Sequence, residues 1–266
     1  GGTGRASGMT GGAKPPIRLL VLAGTQEARH VVAKLSGDLR FDLIASLAGA
    51  TPSPLPLAAP VHTGGFGGVE GLTQFCRERS IDAIIDVTHP FARHISRNAA
   101  AASLAAEIPC LAFNRPQWRA EPGDQWREFD SWQEMAAMIP AGTRVFLAGG
   151  TASIEVFAKR EDIFLCARAL NISEYKDTAT TRFLNAMPDA DPNAEIALFR
   201  HHRIEMLCCK NAGGDASVAK INAARSLGIP IWLLARSRAQ KDVPNVEFHD
   251  NVDCLLEAIS EMGSVR

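Results

Sequence analysis

Residues 17–28 read IRLLVLAGTQEA, and the fold follows from this stretch. Ile17 to Ala23 is apolar throughout apart from Arg18, as a strand buried on both faces of a parallel sheet requires. The run ends at Gly24. Beyond it Ala28, Val31, Val32 and Leu35 follow at the i, i+3, i+4, i+7 spacing of one helix face, with Gly37 as a stop. A strand passing through a tight turn into a helix is the opening of a βαβ unit, in which helices cover a parallel sheet.

The same rhythm continues outward. Phe41 to Ser46 predicts a second strand, and Thr51 to Pro60, with four prolines, an extended loop. Val69 to Arg79 reads as a helix, Ala83 to Val87 as a strand, His94 to Ala106 as a helix and Pro109 to Phe113 as a strand. A polar stretch with Trp and Pro, Arg115 to Asp124, interrupts the alternation. A short strand at Trp126 to Phe129 and a helix at Ser131 to Met138 follow, and a domain junction is placed near here. The second half restarts with Thr143 to Leu147 (strand), a Gly149-Gly150 turn, Ser153 to Ala158 (helix) and Ile163 to Ala169 (strand). After an ambiguous middle come Ile204 to Cys209 (strand), Val218 to Leu227 (helix), Ile231 to Leu234 (strand) and a final helix striped by Val252, Leu255, Leu256 and Ile259. Both halves are therefore α/β, without an internal repeat visible in the residues. The expected division is 16–140 and 141–266. Gly1 to Lys14, rich in Gly, Ser and Thr, is set aside with residue 15 as a disordered tail or expression remnant.

Composition narrows the function classes. The chain has 266 residues, 46% hydrophobic and 21% charged, with a net charge of -1, so it lacks the basic excess of a nucleic-acid-binding protein. No apolar run approaches the ~20 residues that cross a bilayer, and the expectation is a soluble, cytoplasmic protein without membrane or nucleic-acid partners. The six cysteines show no CxxC spacing and read as reduced, mostly buried residues. There is no GxSxG, no HExxH, no plausible metal cluster, and no YxxxK pair, because Tyr175 is the only tyrosine and position 179 is Ala.

Candidate sites lie where strands end, since ligands of open α/β sheets bind at the carboxyl ends. Gly24, Thr25, Gln26 and Glu27 form such an end. The turn admits two readings, a phosphate cradle at a helix N-terminus or an ordinary capped helix. The second strand ends in Ser46-Leu47-Ala48-Gly49-Ala50-Thr51 without an acid. In a dinucleotide site this favours NADP over NAD, and it is also what a chain binding no dinucleotide would show. Gly64-Gly65-Phe66-Gly67-Gly68 is either a flexible loop or a backbone lying against a flat ligand. Asp86-Val87-Thr88-His89-Pro90-Phe91-Ala92 brings an imidazole to the crevice mouth, where His89 either packs or meets ligand. Lys210-Asn211-Ala212-Gly213-Gly214, ahead of Lys220, offers a cation and open amides to an anion, or a solvated lysine.

Taken in order, Gly24-Thr25 with Glu27-Ala28, Ser46 to Gly49, Gly64 to Gly68, Asp86 with Thr88 to Ala92, Arg115-Pro116 with Trp118, and Lys210 to Gly214 with Lys220 resemble the precorrin-6A reductase family. The resemblance covers nearly all of Ile17 to Arg236. It implies two Rossmann-like domains, each a mainly parallel sheet flanked by helices, with an interdomain cleft. It also implies an NADPH-dependent oxidoreductase that transfers hydride to one double bond of precorrin-6A, giving precorrin-6B in corrin (vitamin B12) biosynthesis. On that reading Gly24 to Glu27 bind the pyrophosphate and Ser46, Leu47, Ala48, Gly49 and Thr51 the 2′-phosphate side. Gly64, Gly65 and Phe66, with Thr88, His89 and Pro90, form the nicotinamide end. Arg115, Trp118, Lys210, Asn211, Gly213, Gly214 and Lys220 face the tetrapyrrole, and His89 and Lys210 carry catalytic electrostatic or proton roles. Neighbouring pathway enzymes are implied as partners for intermediate transfer. The chain departs from the family where Lys-x-Ser-Gly is replaced by Lys210-Asn211-Ala212-Gly213, and over Asn171 to Arg203. The competing readings are another NADP-dependent reductase of a small metabolite and a nucleotide-sensing module without chemistry.

Overall fold

The computed structural model describes residues 12–49, 56–237 and 243–264. Its first sheet holds β1 (Ile17–Leu22), β2 (Phe41–Leu47), β3 (Val61–Thr63), β4 (Ala83–Asp86) and β5 (Cys110–Phe113), joined by α1 (Gln26–Ser36), α2 (Gly68–Glu78) and α3 (Arg93–Ala105). The second holds β6 (Trp126–Phe129), β7 (Arg144–Ala148), β8 (Phe164–Ala169), β9 (Thr181–Asn185), β10 (Met206–Lys210) and β11 (Ile231–Leu234). Its helices are α4 (Trp132–Met138), α5 (Thr151–Phe157), α6 (Pro192–His201) and α7 (Ala219–Leu227). The chain closes with β12 (Val246–His249) and α8 (Val252–Ser264). Among the described residues no helix is long and apolar enough to cross a membrane.

Both sheets have six strands, in the orders β12-β5-β4-β1-β2-β3 and β6-β11-β10-β7-β8-β9, and every pairing is parallel. Alternation of side chains explains the layers. Leu19 and Val21 of β1 join the apolar faces of α1 and α8, while Leu20 and Leu22 join those of α2 and α3. In the second sheet Val145 and Leu147 meet α4 and α5, and Phe146 meets α6 and α7.

The two sheets exchange edge strands, which corrects the expected 16–140 and 141–266 division. β6 precedes β7 in the chain yet pairs with β11, and β12 follows β11 yet pairs with β5. The cause lies in the apolar faces. Phe129, Trp132 and Met135 are buried with Val145 and Leu147 of the second sheet, whereas Leu255 and Ile259 are buried with Val31 and Val32 of the first. The chain therefore crosses between sheets twice, after Phe113 and after Leu234. Residues 1–11 of the predicted tail lie outside the described residues.

Each sheet has a switch point where strand order reverses, between β1 and β4 in the first and between β7 and β10 in the second. Open α/β sheets hold ligands at such points. Here the two points are close. Phe91, just beyond β4, packs on the core of the second sheet, and the Lys210 ammonium lies 5.7 Å from its ring centroid.

Candidate functional site

At the first switch point Gly24 has φ +116° and open space where a side chain would stand. Any other residue would be strained there and would fill the approach to α1. Thr25 caps that helix: its Oγ1 accepts the Ala28 amide at 3.1 Å and donates to the Val87 carbonyl at 2.7 Å. The expected hydroxyl donor is thus committed to tying β1 to β4. What remains for an anion is backbone, the Gln26 and Glu27 amides, which have no carbonyl one turn earlier in the helix. The Glu27 side chain turns aside, its Oε1 3.2 Å from Arg115 Nε. Its Oε2 is buried without a hydrogen-bond partner.

At the end of β2 Ser46 is buried, Leu47 is half-buried, and Ala48 and Gly49 are exposed. Thr51 lies outside the described residues. Gly64, Gly65 and Phe66, expected at the nicotinamide end, follow β3. Parallel pairing of β3 with β2 sets the Gly64 amide 2.9 Å from the Leu47 carbonyl. That loop therefore stands beside Leu47 to Gly49, and β1 and β2 lie between it and β4, which Thr88 to Pro90 follow. The Phe66 ring stacks on His62 at 4.4 Å and meets Phe75 edge-on at 5.0 Å, so it fills its own hairpin of loop and helix. A Cβ on Gly71 would fall 1.7 Å from the Phe66 carbonyl oxygen, which lets the loop fold down on α2.

Beyond β4 the polar groups are anchored to buried Asp86. Thr88 Oγ1 and Ser96 Oγ each donate to its carboxylate at 2.6 Å. This fixes Thr88 to Pro90 against the start of α3. His89 Nδ1 accepts the Phe91 amide at 3.2 Å, which puts the proton of the neutral ring on Nε2. Burial, followed by the charges of Arg115, Lys210, Arg236 and Lys220, pushes the His89 proton affinity down to about 3.

The second-domain residues divide into wall and cleft. Asn211 is fully buried: Oδ1 accepts the Trp118 amide at 2.9 Å and Nδ2 donates to the Trp118 carbonyl at 3.0 Å. Trp118 Nε1 donates to the Gly214 carbonyl at 2.9 Å. Lys220, 5% exposed, donates to the Ser217 carbonyl and lies 4.8 Å from the Trp118 ring centroid; burial lowers its proton affinity. These residues join the first crossing segment to the second domain. Gly213 and Gly214 serve the same joint. Both have positive φ, and a Cβ would stand 2.0 Å from the Pro116 carbonyl oxygen at Gly213 and 2.9 Å from Arg115 Cδ at Gly214. Arg115 is buried, with Nη1 3.2 Å from the Gly213 carbonyl. The Lys210 amine makes no hydrogen bond among the described residues, and burial and then Arg93 lower its proton affinity.

Arg236 and Arg93 were missed. Arg236 donates to the carbonyls of Asn211 (2.9 Å), Ala212 (2.7 Å) and Arg115, and to Asn114 Oδ1 (3.1 Å). Burial lowers its proton affinity to about 10. The signal for Arg236 was available, since it stands just past the carboxyl end of a predicted strand. Arg93 opens α3, an unfavourable place for a cation.

Comparison with known proteins agrees with this arrangement. The family model described as precorrin-6x reductase CbiJ/CobK matches residues 18–259. The precorrin-6A reductase of Rhodococcus erythropolis is 36% identical over 249 residues, 93% of this chain and 98% of the relative. The cobalt-precorrin-6A reductase of Priestia megaterium is more distant, at 25% over 90% of this chain and 98% of the relative. A solved structure, CobK precorrin-6A reductase, superposes with a TM-score of 0.83 at 32% identity, covering 92% of this chain and 97% of that one. Paired parallel sheets, opposed switch points and sequence agreement across both crossings lead to one assignment: the chain belongs to the precorrin-6x reductase family of oxidoreductases.

Proposed function

We propose that this chain reduces one double bond of precorrin-6A, giving precorrin-6B in corrin assembly, with NADPH as the hydride donor and the cobalt-free macrocycle as substrate. The observation that supports the reading is the nearness of the two switch points: the open turn at Gly24 follows β1, and Lys210 Nζ, at the end of β10, lies 5.7 Å from the ring of Phe91, which follows the adjacent β4. Relatives that act on precorrin-6A supply the substrate, and the lower identity of the cobalt-precorrin relative favours the metal-free form.

The residues present fit a dinucleotide. Gly24 leaves room for a pyrophosphate at the Gln26 and Glu27 amides, and the exposed Ala48 and Gly49 present backbone rather than a carboxylate to a 2′-phosphate. When bound, NADPH supplies the hydride. The protein's task is to hold the donor and acceptor atoms about 3–3.5 Å apart and to exclude water. His89, neutral and with its Nε2 proton free, acts as a hydrogen-bond donor that orients a carbonyl or ring nitrogen. A neutral imidazole is a poor acid, so the proton that completes the reduction is assigned to solvent. We place the reaction in the cytoplasm, with the intermediate passed between neighbouring enzymes; six free cysteines suit a reducing compartment.

The test is anaerobic mixing of the protein with NADPH and precorrin-6A while absorbance at 340 nm is followed. Stoichiometric loss of NADPH, faster with precorrin-6A than with its cobalt complex, is expected. A folded protein that binds NADPH yet consumes none would support the nucleotide-sensing reading instead.

A further inference from the structure

One guanidinium reaches both crossing segments and the ends of both sheets. Arg236 stands two residues beyond β11, at the start of the second crossing. Its Nη1 donates to the Arg115 carbonyl and, at 3.1 Å, to Asn114 Oδ1, both just past β5 on the first crossing. Its Nε and Nη2 donate to the Asn211 and Ala212 carbonyls at 2.9 and 2.7 Å, in the loop after β10. The Asn114 amide in turn donates to the His249 carbonyl at 2.8 Å, at the end of β12. Arg236 therefore ties the carboxyl ends of β5 and β12 in the first sheet to that of β10 in the second. Asn211 and Trp118 make a shorter join, since their bonds hold the first crossing to the second domain alone.

The arrangement opposes the charge that makes it. All four acceptors are uncharged oxygens, so no carboxylate offsets the desolvation of the half-buried guanidinium, and the neighbouring Arg115 charge works against it as well. What the four bonds do supply is direction. A guanidinium presents its donors in a fixed planar fork, which the rotating ammonium of a lysine cannot reproduce. Gly213 makes room for that fork: a Cβ there would stand 2.7 Å from Nη2. The held loop is itself tight, with the Ala212 amide donating to the Lys210 carbonyl at 2.8 Å, so the grip of Arg236 extends to the last residue of β10.

We propose that Arg236 is a positioning residue for hydride transfer, which fixes the relative placement of the two sheets by clamping both crossings to the end of β10. It acts through the backbone of the joint rather than on a ligand. Packing sets the strand ends within each domain, whereas two loops are the covalent links between them. A donor on one domain and an acceptor on the other are therefore only as well aligned as that joint, and a misplacement of about 1 Å costs about a hundredfold in rate. The hydride step rests on the reductase reading; the clamp does not.

The test compares wild type with Arg236→Lys, which keeps the charge, and Arg236→Gln, which removes it. Spin labels on Leu39→Cys in the first domain and Met138→Cys in the second, 96% and 51% exposed, report the interdomain distance by pulsed electron resonance, with Cys254→Ser removing the exposed native thiol. Anaerobic single turnovers of the NADPH complex mixed with saturating precorrin-6A give a rate constant and an amplitude at 340 nm. Both variants are expected to broaden the distance distribution and to lower the rate constant about 10–100-fold, at unchanged amplitude and NADPH Kd. A fall in amplitude with the rate constant intact would mean lost fold rather than lost alignment, and would overturn the proposal. So would an unchanged distance distribution in Arg236→Gln, or a broadened one with the wild-type rate constant. Broadening in Arg236→Gln when the wild type itself consumes no NADPH with precorrin-6A would leave the clamp standing and remove the reductase reading.

Discussion

Arg115 and Glu27 form an ion pair between the first crossing segment and α1, with Nε 3.2 Å from Oε1 and side chains 7% and 20% exposed. A carboxylate in the first turn of α1 would repel an anion approaching that helix end, and Arg115 neutralises it. The arginine itself is harder to ionise because of burial, an effect that Glu27 opposes.

Arg115→Met therefore leaves a carboxylate whose Oε2 already lacks a partner without its counter-charge. The expected cost is about 3 kcal/mol in urea unfolding, with NADPH affinity reduced about tenfold. Adding Glu27→Gln should recover more than half of both losses; a double variant no better than the single one would show that the pair is not coupled.

Two glycines should separate stability from binding. Gly213→Ala places a methyl 2.0 Å from the Pro116 carbonyl oxygen at positive φ, so a fall of several degrees in Tm or insoluble protein is expected. Gly24→Ala meets no atom, and only its φ of +116° is strained, a cost of about 1–2 kcal/mol. It should fold and yet lose NADPH binding, as read by Tm and cofactor fluorescence on the same sample.

His89 sets a pH dependence whose sign is fixed by its lowered proton affinity. Its ordinary value is 6.5 and its folded value about 3, so between them the unfolded chain binds more protons. Stability from neutral His89 is full above 6.5 and lost as pH falls toward 3, with a slope of up to about 1.4 kcal/mol per pH unit. His89→Asn should flatten that slope in urea titrations between pH 4 and 7. Parallel profiles would mean that His89 titrates normally. The kcat profile of the wild type should show no inflection near 6.5.

Lys220→Met tests whether the lysine is wall or ligand. Its ammonium is buried beside Trp118 and bonded to a carbonyl, so an apolar side chain of similar length should leave Tm unchanged or raised. The precorrin-6A KM should stay within twofold; a tenfold rise would restore Lys220 to the substrate site.

How far the residues could be read depended on burial. β1 was plain because Leu19, Leu20, Val21 and Leu22 are at most 1% exposed, and two-sided burial leaves a continuous apolar run. β3, with Val61 and Thr63 exposed, and β12, with Phe248 37% exposed, are edge strands without such a run, and both were missed. The ambiguous middle held a start signal for α6 that went unused, Asp191 capping the Asn193 amide with Pro192 in the first turn. At the site, strand ends pointed to the candidate loops, but partners decided which side chains were free. Thr25, Asn211 and Lys220 all sit where a ligand group would be sought, and all three are spent on internal bonds. Edge-strand exchange leaves no local signature, since which sheet β6 joins depends on residues about a hundred positions later.

That exchange bears on how the protein is made. During synthesis β5 emerges well before its outer neighbour, β12, with the whole second sheet made in between. Until then the nascent chain carries an open row of amides and carbonyls, the kind of edge that pairs with the wrong molecule. A stop codon ahead of Val246 would therefore do more than trim a tail: it would leave every copy with a permanently adhesive flank, and the truncated product should appear in the pellet rather than as a weakened enzyme.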